Sequence, residues 1–164
     1  LVISFDPNFR LNLWESEEDL LAATRQILPY CDYVKISSEE LQLLTGLDSL
    51  EDGLRQLLET YSIRLIAVTD GNKKVLCSNG KAIVEVPAFT VKVVDTTGCG
   101  DSFTGTLLSR IFKSSKPVEE WTEQEIRDAV RFSNAAGAIT ATRLGAMPVL
   151  PSEQEVNDFL KANE

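Results

Sequence analysis

The sequence contains no histidine, and this absence removes more chemistry than any other feature of its composition. His-based triads, most zinc sites and imidazole bases are excluded, so acid–base work falls to Asp, Glu, Lys, Tyr or Cys. Cysteine is scarce: Cys31, Cys77 and Cys99 are odd in number, widely spaced and without a CxxC pair. That argues against a disulfide framework and for a reducing, cytoplasmic setting. Positive charge is also short, with Lys plus Arg at 16 against Asp plus Glu at 25, a net charge of −9. Nucleic acid and anionic membranes require a positive face, so neither is expected as a partner. A phosphate ligand stays open, because backbone N–H groups can hold an anion within an acidic protein. No apolar run approaches the ~20 residues of a membrane span. The opening residues carry no signal-peptide pattern. The chain starts at Leu1 rather than Met and runs straight into a strand-like segment, which reads as a chain entered midway.

What is present suffices for one compact α/β domain: 164 residues, 43% hydrophobic. Leu1–Phe5, Tyr33–Ile36, Ile63–Thr69 and Val91–Val94 read as strands. Asn79–Gly80, flanked by Lys74–Ser78 and Ala82–Val86, is a strong hairpin signal. Ser16 with Asp19 opens a helix that Pro29 ends, and Ser38 is the expected cap of a short helix stopped by Gly46. Further helices are expected over Leu50–Tyr61, from about Ser102 to Phe112, over Thr122–Thr142 and from Ser152 onward. Alternation of strands and helices predicts a mostly parallel, doubly wound sheet with helices on both faces. Ligands in such sheets sit beyond the carboxyl ends of the strands, in the loops after Phe5, Ile36, Thr69 and Val94.

The most informative segment is Asp95-Thr96-Thr97-Gly98-Cys99-Gly100-Asp101-Ser102-Phe103. It leaves a strand-like run and opens a helix whose first N–H groups make an anion site. Gly98 and Gly100 permit close backbone approach. Asp101 is out of place in a loop that merely holds a pyrophosphate, since like charges would meet. A phosphoryl-transfer loop has a use for it, as acceptor of the proton from an attacking hydroxyl while the amides steady the moving group. The alternative is a plain strand–helix turn with Asp101 facing the helix dipole. A dinucleotide fingerprint would need Gly at position 103, which is Phe103, and no Walker A loop occurs.

This run resembles the second signature of the ribokinase (PfkB) family of sugar kinases, Asp-Thr-x-Gly-Ala-Gly-Asp, and the chain is similar to the C-terminal half of a fructokinase. The resemblance implies that Asp101 is the general base and that Gly98, Cys99 and Gly100 form the anion hole. Cys99 stands where Ala is commoner, and without a histidine to activate it a nucleophilic role is not expected. The resemblance also implies a three-layer ribokinase-like fold in which residues 1–164 are the nucleotide-binding portion. The glycine signature, most sugar contacts and a β-sheet lid would lie outside this sequence, a homodimer could form through that lid, and the fragment alone could be inactive.

Three further stretches follow the family in the same order. Asp6-Pro7-Asn8-Phe9-Arg10 with Leu13-Trp14 resembles a substrate segment, which makes Asp6, Asn8 and Arg10 candidate sugar contacts. Arg10 can equally be a structural ion-pair partner. Lys35-Ile36-Ser37-Ser38-Glu39-Glu40 resembles the Asn-x-x-Glu motif that organises Mg2+. There Glu40 matches the metal-organising Glu, with Glu39 as a competing register, Ser37 replaces Asn, and Lys35 is directed at phosphates. Glu40 can instead be an ordinary exposed helix charge. Thr69-Asp70-Gly71 fits a nucleotide-facing turn, and Asn134, Gly137, Gly145 and Ala146 resemble the adenine end of the site, although the Ala-rich helix around Asn134 is more simply a packed core helix. Asp95 and Thr97 resemble positions around a monovalent cation such as K+. The implied activity is transfer of a phosphoryl group from ATP, with Mg2+, to a sugar, fructose first and 2-keto-3-deoxygluconate second. A non-catalytic nucleotide-binding domain and a Rossmann-type dehydrogenase are the alternatives from other classes.

Overall fold

The computed structural model describes residues 1–163. Their contacts divide into two compact units, Leu1–Gly71 with Val75–Glu85, and Asn72–Lys74 with the residues from Val86 onward. The strands are β1 (Ser4–Phe5), β2 (Tyr33–Ser37), β3 (Leu65–Asp70), β4 (Lys74–Ser78) and β5 (Ile83–Pro87), and they lie in that order across one sheet. β1, β2 and β3 are parallel, with Phe5 opposite Val34 and Val34 opposite Ile66.

In the first unit, helix α1 (Glu17–Ile27) connects β1 to β2, and α2 (Ser38–Thr45) with α3 (Leu50–Thr60) connects β2 to β3. Two parallel crossovers stepping the same way are expected to be right-handed, which places all three helices on one face of the sheet. The core agrees: Leu20, Leu41 and Leu54 from the helices, with Leu28 just past the end of α1, are buried with Val34, Ile36, Ile66 and Val68 from the strands. Each such side chain contributes roughly 1.5–3 kcal/mol by leaving water. Ser16 and Ser49 cap α1 and α3 by accepting the amides of Asp19 and Asp52. The expected cap Ser38 is corrected to Ser37. β2 runs one residue further than anticipated, so Ser37 keeps extended angles (φ −77°, ψ 162°) and accepts the Glu40 amide. Ser38 is already helical, and its hydroxyl donates to Asp70 Oδ1 at 3.0 Å. After β4, Asn79 Oδ1 accepts the amides of Lys81 and Ala82 and so turns the chain toward β5.

The second unit carries α4 (Cys99–Lys113), α5 (Glu123–Ala141) and α6 (Glu153–Ala162). Thr122 with Glu125, and Ser152 with Glu155, form capping boxes at the starts of α5 and α6. α4 and α5 approach closely at Gly137, where an added Cβ would lie 3.4 Å from the Cys99 carbonyl oxygen. Farther along, the buried Thr140 Oγ1 sits 3.0 Å from the buried Ser102 Oγ. Phe132, Ala135, Ala136, Ile139 and Val156 form the apolar centre of this unit.

Three further expectations are revised. The strand at Leu1–Phe5 contracts to two residues, although the Ile3 carbonyl still accepts the amides of Asp32 and Tyr33. Val91–Val94 is not a strand, because a strand needs a partner and none of the described strands pairs with it; Val93 and Val94 are 54% and 55% exposed. α4 begins at Cys99, three residues before the expected start, since Gly98 itself supplies the turn. No helix among the described residues is long and apolar enough to cross a membrane.

Candidate active site

In the second unit the glycine loop is shaped by two devices. Gly98 sits in the left-handed region (φ 79°, ψ 0°), a conformation that costs a side-chain-bearing residue ~1–2 kcal/mol. Asp95 then ties the loop down: Oδ1 accepts the Thr97 amide at 2.9 Å and Oδ2 accepts the Gly145 amide at 3.1 Å. The Thr97 amide and hydroxyl, followed by the Gly145 amide, hold the Asp95 carboxyl below its ordinary range. Gly145 itself has φ 112°. Asp95, Thr97 and Gly145, three of the sequence candidates, are thus one hydrogen-bonded construction, and Gly98 packs beside it, an added Cβ there lying 3.4 Å from Ala146.

No side chain caps α4. The Cys99 amide bonds back to the Thr96 carbonyl, and Ser102 is the first residue to bond within the helix, to Gly98. The amides of Gly100 and Asp101 therefore keep free donor capacity at the positive end of a 15-residue helix. Asp101 lies in this first turn and is exposed. The donor set fits an anionic phosphoryl group beside an available carboxylate. Burial, followed by the charge of Asp95, pushes the Cys99 thiol up from its ordinary value, which disfavours the thiolate. Asn134 is buried, and its amide nitrogen donates to the Pro87 carbonyl at 3.2 Å.

In the first unit, an open depression of about 660 Å3 is lined by Asn8, Phe9, Arg10, Lys35, Ser37 and Glu40, among others. Asp6 pairs with Lys35 at 3.2 Å, so Lys35 faces a carboxylate. Asn8 is the one non-glycine residue with positive φ among the described residues, at 45°. The Arg10 guanidinium donates to the Phe9 carbonyl at 2.9 Å, and Leu13 and Trp14 are exposed. Glu40 is occupied on both oxygens: Oε1 accepts the Phe9 amide at 2.6 Å and Oε2 the Ser37 amide at 2.8 Å. Thr69 lies next to last in β3, and Gly71 opens the following turn with φ 51°. Sequence reasoning missed Phe9, whose role is carried by its main chain and has no side-chain signal. It also missed Asp70, which ties β3 to Ser38. No group of three or more Asp, Glu, Cys or His side chains gathers among the described residues. Mg2+ is characteristically held by one or two carboxylates with substrate phosphates and water, so the carboxylates here suit a metal that arrives with a nucleotide.

Comparison with known proteins agrees with this geometry. The model of the pfkB family of carbohydrate kinases matches residues 2–153. Fructokinase-1 of Zea mays is 41% identical over 160 residues, 98% of this chain and 49% of that protein. A fructokinase double mutant from Vibrio cholerae, solved with fructose, ADP and a potassium ion, superposes with a TM-score of 0.86 at 38% identity, covering 97% of this chain and 50% of that one. A fructokinase from Xylella fastidiosa with bound ATP gives 0.89 at 32% identity, covering 99% and 52%. The chain thus spans about half the length of the relatives it matches, and its five-stranded mixed sheet and helices are the expected ribokinase-like α/β arrangement. With the glycine-loop carboxylate in place and the match running almost end to end, this chain belongs to the pfkB family of carbohydrate kinases.

Proposed function

We propose that these residues are the C-terminal, nucleotide-handling part of an ATP-dependent sugar kinase, with fructose as acceptor and the sugar-binding and lid portion supplied by the rest of a longer protein. The observation that carries the proposal is Asp101, exposed in the first turn of an uncapped helix beside two donor amides. The acceptor hydroxyl attacks the terminal phosphorus of ATP, a new O–P bond forms, and the bond to the ADP oxygen breaks. The proton leaves the hydroxyl for the Asp101 carboxylate, and the Gly100 and Asp101 amides stabilise charge on the transferring group. Mg2+, when bound, would neutralise the phosphates, with Glu40 the candidate carboxylate that organises it; Asp95 and Thr97 are proposed beside a monovalent cation such as K+. Lys35, Ser37, Thr69, Gly71, Asn134 and Gly145 are proposed for the nucleotide, and Asp6, Asn8 and Arg10 for the sugar.

Fructose is preferred because the relatives named above are fructokinases, one of them solved with fructose. The unpaired cysteines and the net charge of −9 favour a cytoplasmic enzyme without nucleic-acid or membrane partners, and a homodimer through the lid completes the proposal. The test is Asp101→Asn in the complete kinase. Turnover should fall by ~10²–10⁴-fold while ATP affinity is kept. Near-normal turnover ends the proposal, and a complete protein that binds ATP but phosphorylates no sugar makes it a nucleotide-binding domain.

A further inference from the structure

Directly after Asp101 comes a buried hydroxyl, Ser102, that phosphoryl transfer itself does not use. We propose that Thr140, on α5, is a positioning residue for the glycine loop: it takes the hydrogen of the Ser102 hydroxyl, keeps that hydroxyl off the Gly98 carbonyl, and so holds the first turn of α4 in the direction that aims Gly100 and Asp101. This rests on the kinase reading above.

Two rungs join α4 to α5. At one, an added Cβ on Gly137 would lie 3.4 Å from the Cys99 carbonyl oxygen. At the other, Thr140 Oγ1 lies 3.0 Å from Ser102 Oγ. Cys99 and Ser102 are three residues apart, as are Gly137 and Thr140, so both rungs sit on one face of each helix. Gly100 and Asp101, between the rungs, fall on the far side of α4, and Asp101 is exposed. The face that α4 turns to α5 therefore sets where the carboxylate projects, and the tilt of the first turn sets the aim of the donor amides.

Ser102 and Thr140 are 5% and 0% exposed, so each hydroxyl hydrogen needs an acceptor inside the protein. Thr140 Oγ1 also lies 2.9 Å from the Ala136 carbonyl oxygen. The arrangement that pairs both hydrogens has Thr140 donating to Ala136 and Ser102 donating to Thr140. A serine within a helix has a second acceptor in reach, the carbonyl four residues back, and bonding there bends the helix. For Ser102 that carbonyl belongs to Gly98, which already accepts the Ser102 amide at 2.8 Å. Thr140 removes this competition. Without its oxygen the Ser102 hydrogen turns to Gly98, the first turn bends, and Gly100 and Asp101 are re-aimed.

The two hydroxyls should therefore respond unequally. Thr140→Val keeps the shape and removes the acceptor, whereas Ser102→Ala removes the competing hydrogen itself. In the complete kinase, Thr140→Val should lower kcat by about tenfold or more, with the KM values for ATP and for the acceptor within about twofold. Thr140→Ser returns the oxygen and should recover kcat to within about twofold. Ser102→Ala should cost less than about threefold, and adding it to Thr140→Val should restore most of the lost kcat. A double variant no faster than Thr140→Val overturns the proposal, as does a raised KM with unchanged kcat. A second readout needs no turnover. A crystal structure of the complete Thr140→Val protein should show Ser102 Oγ within hydrogen-bond distance of the Gly98 carbonyl. A Ser102 hydroxyl that stays in place, with α4 unbent, overturns the positioning role whatever reaction the enzyme performs. A native protein that phosphorylates no sugar fails the kinase reading alone, and the crystal structure then decides the role of Thr140.

Discussion

Gly98 and Gly46 offer a matched pair of substitutions that separates the strain of a backbone conformation from its use. Both are left-handed, at φ 79° and φ 74°. Gly46 ends α2, and an added Cβ there meets nothing within 4 Å. At Gly98 the added Cβ meets Ala146 Cα and Cβ at 3.4 Å, which is ordinary contact. Alanine at either position therefore carries the same conformational penalty, ~1–2 kcal/mol, with little steric addition. Urea unfolding followed by circular dichroism should show equal losses for Gly46→Ala and Gly98→Ala. In the complete kinase the two should part: Gly46→Ala keeps kcat, and Gly98→Ala loses roughly 10²–10³-fold because the amides that follow it are re-aimed. The reasoning is refuted if Gly46→Ala costs nothing, if Gly98→Ala costs more than about 3 kcal/mol, a sign of a clash, or if both variants turn over equally.

Two further expectations concern stability. Thr140→Val removes the hydroxyl facing buried Ser102 and should cost ~1–3 kcal/mol, of which Ser102→Ala in the same chain recovers part; strict additivity in urea melts would deny the coupling. Glu125 and Glu155 are each held down to about 2, Glu125 first by Lys116 and Glu155 first by the Ser152 amide. Depressed carboxyls stabilise the fold above their unfolded range and lose that contribution as pH falls through the folded value. Stability should therefore decline between pH ~4.5 and ~2, and Glu125→Gln with Glu155→Gln, which keep the capping pattern, should flatten that decline in denaturation midpoints measured against pH.

Where a feature is local, the residues announced it. Ser16, Thr122 and Ser152 begin their helices because each offers an oxygen to an amide three residues on, and Asn79–Gly80 turns the hairpin through its own side chain. The glycine loop was legible for the same reason. What escaped is what depends on distant chain. Val91–Val94 has strand composition, but pairing is decided elsewhere. The bond between Asp95 and Gly145 spans 50 residues and leaves no periodic trace. The choice between Ser37 and Ser38 turned on how far β2 extends, which its pairing with β3 through Thr69 decides. Glu40 was found by motif, while the Phe9 amide it holds could be found only from coordinates.

The capping box at Ser37 bears on how such signatures vary between proteins. Asparagine and serine are among the side chains that can accept an amide hydrogen at the entrance of a helix. Their exchange at this position preserves the geometry, so the alphabet permitted at residue 37 is set by cap chemistry and extends to Thr and Asp but not to Ala. A recognition pattern written with a single letter there would overlook members whose fold is intact, whereas one written in terms of the acceptor would keep them.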